Sequence, residues 1–265
     1  MADYAARRRL AQHKRPERVH WLEAAKVPFR DDSLMLGPPS LTAADFKTPR
    51  LRRCRFDLAT VSWEARIDGG LDGYVWKVKF GDEGPFVLKV FWDPEPPRSH
   101  HYYAPRRECQ NAALLQMMEA AVKDATSRRE QRFAQRADRR PILSIPRMKK
   151  CYGWLTVHGN LFHGMSRKLR PQVVTAGKVT RSMSYDQEYL AVVDEFVEEG
   201  ENDPEVVQEV LDFLRLGGFA HTLSPAARNW KSGVLIDRGN IIHPGDYCWN
   251  KQLYVAITAR RVLKQ

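Results

Sequence analysis

The stretch from Ile67 to Glu108 constrains this chain more than any other. A glycine-rich turn, Asp68-Gly69-Gly70-Leu71-Asp72-Gly73, leads into a half-exposed strand over 74–80 and a second turn, Gly81-Asp82-Glu83-Gly84-Pro85. A mostly apolar strand over 86–92 follows and carries one lysine, Lys89. An apolar strand seldom holds a lysine unless the ammonium reaches water or an anion. Strand, turn and strand in such quick succession predict antiparallel hairpins. Asp93-Pro94-Glu95-Pro96-Pro97 breaks the sheet. Residues 106–122 then place Ala112, Leu115, Met118 and Val122 at helical period, with Glu108 in the first turn, 19 residues after Lys89.

The remaining pattern divides the chain into three parts. Residues 1–45 read as a basic extension and connector, with Pro38-Pro39 among the turn formers of 31–50. Residues 46–200 hold the antiparallel strands, the helix and basic insertions. Within them 54–62 and 63–67 are short and β-prone. The charged stretch 123–140 extends the helix into solvent or forms a loose insertion. Residues 141–154 read as a strand, 155–187 as a hairpin or long loop, and 188–197 as a strand. Residues 201–265 form a shortened, mostly helical half. There, Pro204 opens a helix over 204–216 and Gly217-Gly218 stops it. Short strands at 234–236 and 240–242 flank the turn Asp237-Arg238-Gly239. The expected fold class is α+β.

Hydrophobic residues make up 43% of the 265, eleven Phe and seven Trp among them, enough for a packed core. No apolar run approaches a membrane span, and the charged start has no apolar stretch of a secretory signal. Cys54, Cys109, Cys151 and Cys248 form no C-x-x-C pair, which argues against zinc and for free thiols in a reducing compartment. The net charge of +11 is segregated. Basic clusters lie at 7–18, 47–55, 128–140 and 167–178, against an acidic block at 194–205. This is either a solvated basic surface or a face for an acidic protein or DNA. Few aromatics interleave the clusters, so no single-strand stacking platform is indicated. Arg7-Arg8-Arg9 with Lys14-Arg15 has the form of a nuclear-localisation patch.

In order and spacing, the 67–108 stretch resembles the phosphate-gripping half of a protein kinase. In the pattern G-x-G-x-x-G-x-V, Asp68 replaces the first glycine, while Gly70, Gly73 and Val75 keep the later places. Lys89 follows Val75 by 14 residues, where V-A-I-K is expected, and Glu108 is its helical partner. The backbone at Glu195 and Val197 falls where an inter-lobe hinge would face an adenine edge. Asp246-Tyr247-Cys248 falls where D-F-G belongs, making Asp246 the metal ligand of an ATP–Mg²⁺ site. Each residue also has a plain reading: a hairpin turn, a solvated edge lysine, a surface glutamate, a buried strand end, an aspartate shaping a turn. The catalytic loop has two registers. Starting it at His221 places Leu223 at the catalytic Asp and Arg228 at the metal-binding Asn. Starting it at Ala226 places Arg228 and Gly233 there, and is preferred because a strand and turn then follow. Neither leucine nor arginine can take the proton of an attacking hydroxyl. No A-P-E follows Asp246.

Residues 73–78, 102–109, 152–154 and above all the Arg-Asn-Trp-Lys box within 227–237 resemble a group of filamentous-fungal, degenerate kinases. That group is classed with a subunit of the inner-kinetochore Sim-four complex, and the resemblance spans about residues 50–250. It implies a nuclear, centromere-associated role within a larger protein assembly, with a cytoplasmic location as the alternative. The expected function is a non-catalytic interaction module. One rival is an atypical ATP-dependent phosphotransferase using Lys89, Glu108 and Asp246, with His221 or Asp237 as base. The other is a basic nucleic-acid-binding protein working through 128–140.

Overall fold

The computed structural model describes residues 26–96, 102–132, 145–176, 179–222 and 226–264. β3 (Val61–Gly69), β4 (Gly73–Phe80) and β5 (Glu83–Phe91) form an antiparallel meander. Tyr74, Trp76, Val78 and Phe80 of β4 and Phe86, Leu88 and Val90 of β5 are buried in one core. The two-residue period of a strand therefore turns Val75, Val87 and Lys89 to the opposite face. Pairing about the turn at Gly81-Asp82 sets Val75 directly across from Lys89. The spacing noticed in the sequence is thus a cross-strand pair. Trp76 anchors this core: it is fully buried, stacks on Phe162 and donates its indole N–H to the Leu169 carbonyl at 2.7 Å.

The sheet continues through β9 (Glu188–Glu195), antiparallel to β5, and β6 (Cys151–His158), antiparallel to β9. The strand expected at 141–154 instead begins at Cys151. β2 (Leu51–Arg53) adds parallel to β6, and β1 (Arg30–Leu34) parallel to β2. The full order is β1-β2-β6-β9-β5-β4-β3. Residues 31–50, expected to be connector, thus hold most of an edge strand and a short helix, α1 (Ala43–Lys47). The polar Asp31-Asp32-Ser33, exposed at Asp32 and Ser33, has no apolar alternation to announce a strand. Tertiary contacts hold it: the Trp154 indole donates to the Asp31 carbonyl at 3.0 Å, and Arg30 lies 5.0 Å above the same ring.

Helix α2 (Ala104–Arg132) lies on the cleft-side face of the sheet. Ala104, Cys109, Ala112 and Ala113 pack there against Leu51, Phe91, Trp154 and Val192. The helix runs on into the charged stretch as far as Arg132, and residues 133–144 lie outside the described part. A hairpin, β7 (Val174–Ala176) and β8 (Val179–Arg181), occupies part of 155–187.

Helix α3 (Pro204–Leu216) starts as its sequence dictates: the Asp203 carboxylate accepts the Glu205 N–H at 2.8 Å and proline fills the first turn. Its Val207, Val210, Leu211 and Leu214 pack with Trp230, Ile241 and Val262. The C-terminal half is not mostly helical. Beyond α3 it holds β10 (Ala220–His221) paired with β13 (Ile241–Ile242), β11 (Trp230–Lys231) paired with β12 (Val234–Leu235), and a short α4 (Ala259–Leu263). Glycines, prolines and asparagines between Gly217 and Thr258 leave no uninterrupted helical period.

Candidate functional site

A cleft of about 1040 Å³ opens between the β3–β5 face and the C-terminal segment. Its lip is the β3–β4 turn. Trp92 pins that turn, with its indole donating to the Gly70 carbonyl at 2.8 Å and its backbone N–H to the Asp72 carbonyl at 3.2 Å. The Tyr102 hydroxyl donates to the Asp72 carboxylate at 2.6 Å.

The lip glycines serve different ends. A Cβ on Gly73 would sit 2.3 Å from the Val90 carbonyl oxygen, backbone that cannot yield, so this glycine permits strand approach. A Cβ on Gly70 meets nothing within 4 Å, and its own N–H is given to the Gly73 carbonyl at 3.0 Å, closing the turn. Gly73→Ala should therefore cost about 1–3 kcal/mol, and Gly70→Ala less than about 0.5. Chemical denaturation of the two variants checks this, and equal losses would contradict the assignment.

Lys89 and Glu108 meet at the cleft floor, Nζ to Oε1 2.5 Å, with Glu108 only 1% exposed. Asp237 Oδ1 lies 3.7 Å from the same ammonium. Burial alone would lower the Lys89 pKa, but Glu108, Asp237 and Asp72 together hold it well above its ordinary value. Burial pushes Glu108 up to about 7 against the pull of Lys89, because several carboxylates share one ammonium. Asp237 stays below the usual carboxylate range: burial opposes this, but Lys89 and the Gly239 N–H, 3.0 Å from Oδ1, prevail.

Asp246 is not in this cleft. Its carboxylate accepts from Arg107 Nε at 3.2 Å and from the Cys248 N–H at 2.7 Å and does not line the cleft, whereas Asp237 does. Asp237 stands in the place the sequence reading gave to Asp246. The signal was present: Asp237-Arg238-Gly239 keeps a D-x-G form that Asp246-Tyr247-Cys248 lacks. The preferred loop register also fails. Gly233 is the positive-φ corner of the β11–β12 hairpin, its N–H bound to Asn202, and it does not line the cleft. Arg228 is exposed at the rim, while its neighbour Asn229 lines the cleft and has no assigned role in either register. Leu223 lies outside the described residues. His221 is buried and does not line the cleft, which removes it as a base.

At the hinge strand end, Glu195 and Val197 both line the cleft. The Glu195 N–H, however, is given to the Lys150 carbonyl at 2.9 Å, and its carboxylate accepts from Arg147 and from the Lys150 N–H. Its main-chain N–H is therefore closed to a ligand.

Behind the cleft sits a buried charge cluster. Asp194, 1% exposed, binds Arg238 at 2.7 Å and Lys149 at 2.6 Å. Arg238 also donates to the Lys149 carbonyl at 2.7 Å, and the Asn111 amide donates to the Arg238 carbonyl at 2.8 Å. The residue after Asp237 is thereby held from β9, from α2 and from the segment leading into β6. Burial opposes ionisation of Asp194, but the two cations bring its pKa down to about 2.

Magnesium prefers oxygen ligands and takes one or two carboxylates plus phosphate and water. Asp237 and the Asn229 amide fit that description. Among the described residues no group of three or more His, Cys, Asp or Glu is arranged to hold a metal. No helix among them is long and apolar enough to cross a membrane. No protein-family model matches the chain, and no curated protein does either.

Proposed function

We propose that the chain is a non-catalytic, kinase-like interaction module that binds a magnesium–nucleotide in the cleft without turning it over. The observation that carries this reading is the Lys89–Glu108 pair on the floor of a glycine-lipped cleft, with Asp237 beside the ammonium. In a kinase such a lysine grips the nucleotide phosphates, the helical glutamate holds it in place, and an aspartate before the x-Gly turn takes the metal. Lysine on the strand after the glycine hairpin, and glutamate on the next helix, agree with that plan. Asp237 and Asn229 are the residues that would hold magnesium, whose charge neutralises the phosphates when bound. Turnover is opposed by the loop: five residues before Asn229, where the pattern H-R-D-L-x-x-x-N sets its catalytic Asp, the sequence has Ser224. The fungal resemblance supplies the setting, a centromere-associated assembly in the nucleus.

A nucleotide thermal-shift panel tests the reading. At ATP about a hundredfold above Kd, with Mg²⁺, the melting temperature should rise roughly 5–10 °C, with no phosphate released. Lys89→Ala and Asp237→Asn should abolish the rise, and Asp246→Asn should retain it on a lower baseline. A shift lost in Asp246→Asn but kept in Asp237→Asn, or steady phosphate release, contradicts the proposal.

A further inference from the structure

A second cavity, of about 880 Å³, shares a wall with the cleft. Lys149 and Glu195 line both, so the buried Lys149–Asp194–Arg238 cluster is the partition. The second cavity has an apolar, half-buried floor of Met35, Leu115, Met148 and Tyr152. Its sheet-side wall carries Arg52, Arg55, Arg147 and Lys150. Arg55 pairs with Glu83 and Arg147 with Glu195, but these are solvent-facing pairs that an incoming carboxylate can exchange at little cost. Lys150 has no carboxylate partner among the described residues; its ammonium lies 4.8 Å over the Tyr152 ring.

We infer that this groove docks an acidic peptide segment of a partner protein, with apolar side chains on the floor and carboxylates along the Arg52–Lys150 wall. Charge complementarity fixes the choice of occupant. A nucleic acid fits less well: the floor offers apolar surface that a peptide's side chains can cover and a phosphate backbone cannot, and on the opposite wall Glu119 is already paired with Lys123. The inference gives the interaction-module reading its partner chemistry and its face. The docking itself requires no nucleotide, so it stands or fails separately from the thermal-shift panel.

The test is fluorescence anisotropy on the full chain without nucleotide. The probes are a short fluorescein-labelled peptide alternating glutamate pairs with leucines, its Glu→Gln counterpart, and a labelled DNA duplex. The glutamate peptide should bind, more weakly as salt rises, and more tightly than the glutamine peptide. Arg147→Glu with Lys150→Glu should weaken it about tenfold. Arg167→Glu with Lys168→Glu changes net charge equally away from the groove and should leave affinity within about twofold. Arg55→Glu is the second groove variant, should the first pair melt early. Equal losses in both double variants, equal binding of the two peptides, or binding of the duplex alone overturns the inference.

Discussion

Asp194→Ala should lower the unfolding free energy by about 3–5 kcal/mol, the largest single-residue loss expected in this protein. The side chain is 1% exposed and holds two buried cations, Arg238 at 2.7 Å and Lys149 at 2.6 Å. Removing it leaves both charges in low-dielectric surroundings with only carbonyl partners, Ile236 for Lys149 and Lys149 itself for Arg238. A domain of this size has a total stability of about 5–15 kcal/mol, so the variant should lose about a third to a half of a mid-range value of about 10 kcal/mol. Asp194→Leu combined with Lys149→Met and Arg238→Met removes all three charges together and should regain most of it, because a buried ion cluster offers little over apolar residues of like volume. Denaturant midpoints of the single and triple variants provide the comparison. A single variant as stable as wild type would mean that water reaches the cluster.

Acid should weaken the fold in the window from pH 6.5 to 4. His221 and His243 are buried, and burial lowers the pKa of each to about 4 from 6.5. For His243 the nearby Asp246 opposes this shift, while Arg107 and Arg106 reinforce it. Both rings are neutral in the folded chain above pH 4, whereas the unfolded chain protonates them below 6.5. The stabilisation is therefore fully present above pH 6.5 and is lost as pH falls towards 4, by about 3 kcal/mol for each ring. Asp194 acts in a separate, lower window: its stabilisation is present above pH 3.8 and lost as pH falls through about 2. Glu108, raised to about 7, holds a proton in the folded chain that unfolding releases above about pH 4.5, so the two histidine protons taken up leave a net uptake of about one. Unfolding free energy measured against pH should fall with that slope, and His221→Asn should remove one proton from that balance. An unchanged slope in that variant would exclude His221 as the group responsible.

The parts of the site legible in the sequence were those set by short-range geometry. Val75, Lys89 and Glu108 were found because a tight hairpin fixes cross-strand partners by residue count, and because a helix following a broken strand packs back on the sheet. The glycine turn was found for a partly wrong reason, since Gly73 makes room for the Val90 backbone rather than for a ligand. Asp237 was named only as a rival's base and Asn229 was given no role, because their positions were counted along the chain at a spacing borrowed from longer loops. Here β11 and β12 are two residues each, so the chain reaches the cleft sooner.

By itself the sequence determined the α+β class, the hairpins, the capped helix Pro204–Leu216 and the lysine–glutamate pair, because each follows from local period, capping or hairpin register. Tertiary structure alone decided which aspartate faces the cleft, that Arg30–Leu34 joins the sheet edge, and that Asp194, Arg238 and Lys149 meet in the interior. Those outcomes depend on residues dozens of positions apart being desolvated together, and neither local period nor spacing encodes that.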